Sequence, residues 1–213
     1  MSIHLEEVST FLLVLIGCVQ AFILKRQTKM QEQAVKIALL EKRMECLSVI
    51  NEVRSMVKNS DTNIGFLNGY LGCFSQEDSI RYLDALNSRF LIASMNAKHL
   101  FSEEISQKLL VFSGFLRNFN FGVKRYFADM RMLNEKAQSG DISAQRSMAN
   151  LAEKSFKMLN GESSTERELL ILSGFSENHP YLIALNKLKE VFSDETFFEK
   201  LLPYVDVHNI ARV

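Results

Sequence analysis

The sequence predicts an all-helical protein: an N-terminal transmembrane helix continuing into a long helix and a cytosolic helical bundle. Three observations predict this. Only two prolines and nine glycines punctuate 213 residues, so long segments lack the residues that break helices. Past residue 30, apolar residues recur at three- and four-residue steps, the spacing that lines up one face of a helix. No stretch alternates with the period of two expected of a half-buried strand. At 47% hydrophobic residues the chain can fill a core, and its length suits one medium domain plus an appendage.

The first element is VSTFLLVLIGCVQAFILKRQTK, residues 8–29. Its apolar surface comes from Val8, Phe11, Leu12, Leu13, Val14, Leu15, Ile16, Val19, Phe22, Ile23 and Leu24. A bilayer core about 30 Å thick needs roughly twenty such residues, and residues 8–24 supply the short end of that range. The run is apolar on every face, whereas a soluble amphipathic helix is apolar on one stripe. A secretory leader would carry positive charge before the run; here Glu6 and Glu7 precede it, and no small-residue cleavage site follows. A retained anchor is the expectation. Lys25, Arg26 and Lys29 follow the run, and the positive-inside rule places them in the cytoplasm, with residues 1–7 on the far side. Gly17, Cys18 and Gln20 are the small and polar members of the run, candidates for association between spans. Gln20 could instead reach the headgroups.

Residues 25–58 form the second element, a juxtamembrane helix without glycine or proline. Met30, Ile37 and Met44 recur every seven residues, with Leu40 and Leu47 between them, a possible helix seam of two heptads. The stripe is read as widening through Ile50, Val53 and Val57, so that one amphipathic helix packs into the domain. The domain itself is assigned to residues 59–213. It opens on a break at Asn59–Asn63 and a glycine-punctuated stretch, Ile64 to Phe74, which lacks the lysine and the preceding strand of a phosphate cradle.

A helix is expected from a Ser75 cap, with Ile80, Leu83, Leu86 (or Asn87), Phe90 and Leu91 as its stripe. Ser102 caps the next, ahead of Glu103 and Glu104 at the positive end of its dipole, with Ile105, Leu109, Phe112, Leu116 and Phe119 facing the core. A turn at Ser139–Gly140 and an Asp141 cap open a fourth helix. The string AQSGDISAQRSMANLAEK there resembles part of a Sel1-type repeat, but it occurs once, so no repeat array is expected. Thr165 and Glu168 form a capping box, Pro180 sits in a first turn, and Ser193 or Asp194 opens the final helix.

Chemistry-bearing constellations are sparse. Twenty-five basic residues balance twenty-five acidic ones, which leaves no global field to attract a nucleic acid. Cys18, Cys46 and Cys73 are scattered and odd in number, pointing to packing residues in a reducing compartment. His4, His99, His179 and His208 have no ligand partners at metal spacing. The acidic pairs mostly open helices, where the dipole accounts for them. The basic and aromatic cluster Lys124, Arg125, Tyr126, Phe127 and Arg131 reads as a solvated helix face. No enzyme activity and no cofactor are expected.

Two strings carry a resemblance. IALLEKRMECLSVINEV (Ile37 to Val53) and AKHLFSEEISQKL (Ala97 to Leu109) resemble the "aLfdkRyevyeav" and "akfLFgdeI" segments of uncharacterised bacterial single-span membrane proteins with a cytosolic helical domain. Met44 and Leu47 stand where that pattern has aromatic residues. The resemblance implies a bacterial inner-membrane location, N-terminus out, and implies no activity. The expected function is a membrane-anchored interaction or adaptor protein. It would contact lipid and an unidentified protein partner, or form a homo-oligomer. The alternative expectation is a membrane-acting effector, as in bacterial antiphage defence, whose span oligomerises through Gly17, Cys18 and Gln20 and perturbs the bilayer.

Overall fold

A computed structural model describes residues 2–59, 76–159, 166–176 and 178–205 of the chain, with side chains described from Ser9 onward except at 59, 158, 159 and 166. Among these residues there are seven α-helices, one 3-10 turn and no strand. They run α1 (Ser2–Asn59), α2 (Gln76–Leu100), α3 (Glu103–Gln138), α4 (Ile142–Leu159), α5 (Glu166–Leu172), α6 (Pro180–Phe192), α7 (Glu195–Glu199) and the turn Leu202–Tyr204. The Ser75 cap, Cys73, the Ile64 to Phe74 stretch, Thr165 and His208 lie outside the described residues.

Local chemistry sets the boundaries. The Ser102 hydroxyl accepts from the Ile105 N–H at the start of α3. At its end the chain passes Ser139 and turns at Gly140, where φ is +97°, a conformation that glycine adopts without a Cβ penalty. Asp141 then accepts from the Ala144 N–H at 3.0 Å to open α4. The His179 Nδ1 accepts from the Tyr181 N–H at 3.1 Å, with Pro180 in the first turn of α6. Asp194 caps α7 through the Thr196 N–H at 3.1 Å.

α3 is the central helix, packed against α2, α6 and α4, while α1 lies along α2 and touches α6. The core combines Ile50, Val53 and Met56 of α1 with Leu83, Leu86 and Phe90 of α2, Leu109, Leu116 and Phe119 of α3, and Leu188 and Phe192 of α6. Phe112 bridges layers, its ring 5.4 Å from Phe192 and 4.9 Å from Phe197. All five α3 positions expected to face inward are buried. On α2 one expectation is corrected: Leu91 is 43% exposed. One residue past Phe90 the helix has rotated about 100°, so the stripe continues through Ala93 and Ala97 instead.

A second correction concerns α1. A single stripe running from Met30 into Val57 does not exist. The face that enters the core is Cys46, Ile50, Val53 and Val57, whereas Met30, Ile37 and Met44 remain 54%, 58% and 53% exposed. Met44 and Cys46 are two residues apart, about 200° around the helix, so the seven-residue series lies on a different face from the core stripe, with Met44 bordering a groove beside Phe198 and Leu202. Leu40 and Leu47, between the two faces, are half-buried.

Ion pairs fasten the helices from outside. Asp84 of α2 accepts from Asn120 and Lys124 of α3, both at 2.7 Å. Lys200 pairs with Glu104 at 2.6 Å, and Glu195 takes both Arg54 and Lys58 of α1. Partial burial raises the Asp84 pKa, but the bonds from Lys124 and Asn120 more than offset this and leave it below the ordinary value. Hydrogen bonds from Lys200, and from Arg54 and Lys58, lower those of Glu104 and Glu195. A carboxylate depressed in the folded state stabilises it fully above its unfolded pKa, about 4. That contribution fades as pH falls through the depressed folded value. The thermal midpoint of the detergent-solubilised chain should therefore fall in acid, and Asp84→Asn should flatten that acid limb. An unchanged acid limb would remove these carboxylates from the account.

Candidate functional site

The feature that stands apart is the N-terminal half of α1. At 1.5 Å per residue the 58-residue helix is about 87 Å long, and every described side chain from Ser9 to Val35 is exposed. Within it lies a window of mean hydropathy 1.6 with none of its residues buried. By length and composition, this helix can cross a membrane. Phe11, Leu12, Leu13, Val14, Leu15, Ile16, Val19, Phe22, Ile23 and Leu24 are all exposed; the Val8 side chain lies outside those described. Gly17, Cys18 and Gln20 share this exposure, and a Cβ on Gly17 would meet nothing within 4 Å. Lys25, Arg26 and Lys29 follow at once, also exposed.

Partial burial along α1 begins at Lys36, Leu39 and Leu40, and Arg43 bonds the helix to the domain. Its Nε donates to the Leu100 carbonyl at 2.8 Å and its guanidinium reaches the Tyr204 carbonyl at 3.4 Å, with the Tyr204 ring 5.3 Å away. One side chain thus satisfies the C-terminal end of α2 and fastens the chain's last described turn to α1. Farther on, the Arg54 guanidinium stacks over Phe198 at 3.8 Å while pairing with Glu195. Because α1 is continuous from Ser2 to Asn59, these contacts make its exposed half an extension of the domain.

The groove between α1 and α2 holds charged groups that are ion-paired. Between α1 and α2 a groove of about 570 Å³ is lined by Lys42, Glu45, Cys46, Arg89, Ile92 and His99. Lys42 pairs with Glu45 at 2.9 Å, and Arg89 with Glu52 at 2.6 Å. Burial, and then the Glu45 charge, pushes the Cys46 thiol up to about 11; it points at the Ala93 carbonyl, 3.6 Å away. It is a packing group with little thiolate at neutral pH.

His179 and Asp129 give a buried pair that sequence spacing did not reveal. His179 Nε2 lies 3.2 Å from Asp129 Oδ2, and Nδ1 accepts from the Tyr181 N–H, which fixes the ring proton on Nε2. Arg125 donates to the same Asp129 oxygen at 3.0 Å. With both ring nitrogens used, the imidazole straps α6 to α3 and has no lone pair left to take a proton from a substrate. Arg125 and Lys124, read from sequence as members of a solvated basic face, are both engaged by acids, Lys124 by Asp84. No group of three His, Cys, Asp or Glu side chains gathers among the described residues.

No family model matches the chain, and no curated protein or solved structure does either.

Proposed function

We propose that this chain is a membrane-anchored helical interaction protein of the bacterial inner membrane. Residues 8–24 of α1 form a single-pass span with the N-terminus outside, and the helical domain stands in the cytoplasm. The observation that carries this reading is the contrast within one unbroken helix. Its last turns carry Ile50, Val53, Met56 and Val57 into the core with almost no exposure, while ten large apolar side chains between Phe11 and Leu24 are 47% to 69% exposed. Exposed apolar surface on that scale needs a bilayer or a partner to cover it, and its all-round distribution suits lipid.

The same helix sets the geometry of action. From Leu24 to Arg43 is nineteen residues, about 28 Å of stalk. The domain would therefore be held off the headgroups, where a partner or a second copy can reach its sides. Lys25, Arg26 and Lys29 would sit at the inner headgroups and set the orientation. Partner binding or self-association, and not a reaction, is the activity this arrangement serves.

Single cysteines test the orientation. In spheroplasts of cells expressing Cys18→Ser/Cys73→Ser protein, a membrane-impermeant maleimide should label Ser2→Cys. It should label Gln31→Cys only after permeabilisation. Labelling of Gln31→Cys in intact spheroplasts would reverse the topology.

A further inference from the structure

We infer that α1 pairs in parallel and in register with α1 of a second copy of this chain, through Met30, Ile37, Leu40 and Met44. This rests on the membrane-anchored reading and names its partner. Because α1 is continuous from Ser2 to Asn59, the seven-residue series begins earlier than the stalk: Ile16, Ile23, Met30, Ile37 and Met44 share one face. Inside the span apolar residues are the default and carry little information. In the stalk, polar residues are the default, and there Met30, Ile37 and Met44 stay 54%, 58% and 53% exposed, Met44 at the edge of a groove shared with Phe198 and Leu202.

Taking Met30, Ile37 and Met44 as the a positions puts Leu40 and Leu47 at d. Ile at a with Leu at d is the combination that favours two parallel strands. The flanking charges agree. Lys36 falls at g and Glu41 at the following e position, so in a parallel pair each Lys36 meets the partner's Glu41. An antiparallel pair would set Lys29, Lys36 and Arg43 against one another, because g positions then face g positions. Anchoring both copies with the same orientation in one bilayer enforces the parallel arrangement and raises their effective concentration. Two heptads, weak in free solution, can then suffice. Arg26 and Gln33 occupy the intervening d positions, so the pairing is open at the headgroups and closes along the stalk.

The domains leave room for this. On α1 the core stripe at Cys46 is turned about 160° from Met44 and about 100° from Leu47, which places the two domains to the sides of the pair. Beside Met44 and Leu47 runs a groove of about 260 Å³, walled by Phe198 and Leu202, and Leu202 is 64% exposed.

The test is disulfide cross-linking of the full chain in native membranes, with Cys18→Ser and Cys73→Ser and the buried Cys46 kept. Mild oxidation should convert Met30→Cys, Ile37→Cys and Met44→Cys each to a dimer. Val35→Cys, equally exposed but on another face, should give several-fold less. Lys36→Glu should reduce the Ile37→Cys dimer, and Lys36→Glu/Glu41→Lys should restore it. Equal dimer from Val35→Cys overturns the pairing, as do absence of dimer at all three seam positions and cross-linking to other proteins alone. Alkaline extraction of the same membranes separates the two readings. Protein retained without dimer rejects the pairing, and protein released rejects the anchor, while the pairing is still judged from dimer in the released fraction.

Discussion

Gly122→Ala is expected to destabilise the helical domain by about 2 kcal/mol, although alanine favours a helix by about 1 kcal/mol over glycine. A Cβ at position 122 would lie 2.8 Å from the Tyr181 Cα, 3.0 Å from its nitrogen and 3.1 Å from the Pro180 carbonyl oxygen. These are backbone atoms, so no side-chain rotation relieves the overlap; the start of α6 must move away from α3. That movement strains the His179–Asp129 strap and loosens the packing of Phe119 on Tyr181, rings now 5.8 Å apart. Gly114 on the same helix is the control, since a Cβ there meets nothing and Gly114→Ala should gain up to about 1 kcal/mol. Thermal unfolding of the two variants in detergent, followed by circular dichroism, should shift in opposite directions. Equal shifts would mean that the α3–α6 approach is not close.

Why Gly122 was invisible in the sequence is instructive. It follows Phe119 and precedes Val123 on the buried face of α3, yet only the crossing of α6 sixty residues later makes its missing side chain necessary. Asp129 and His179 are fifty residues apart for the same reason, and their pairing has no local signature. The carbonyls that Arg43 bonds, at Leu100 and Tyr204, are likewise distant in sequence. By contrast, the caps at Ser102, Asp141 and Asp194 and the Pro180 start were legible because each depends on bonds within three or four residues. The stripe of α3 was legible because a buried helix repeats its face every turn. The α1 reading was half right. Ile50, Val53 and Val57 do enter the core, but two stripes on different faces merge when spacings of three and four are followed without tracking the rotation. The apolar segment of residues 8–24 was legible from composition alone.

The largest effect is expected in that segment. On insertion scales, Leu, Ile, Val and Phe contribute about −0.3 to −0.6 kcal/mol each at the centre of a span, and an arginine costs about 2.5 to 3.5 kcal/mol. The ten described large apolar residues between Phe11 and Leu24 therefore supply on the order of −5 kcal/mol. Leu13→Arg/Ile16→Arg would remove two of them and add roughly 6 kcal/mol, which reverses the sign of insertion. Both positions are exposed and far from the domain core, so the double variant should still fold, and its thermal midpoint should match that of the native chain.

Alkaline carbonate extraction of washed membranes reads this directly, as the fraction of full-length chain that stays in the pellet. The native chain should remain almost wholly in the pellet, and the double-arginine variant should move to the soluble fraction with its helical domain intact. A native chain released by carbonate, or a double variant retained as firmly as the native one, would contradict a bilayer-spanning α1.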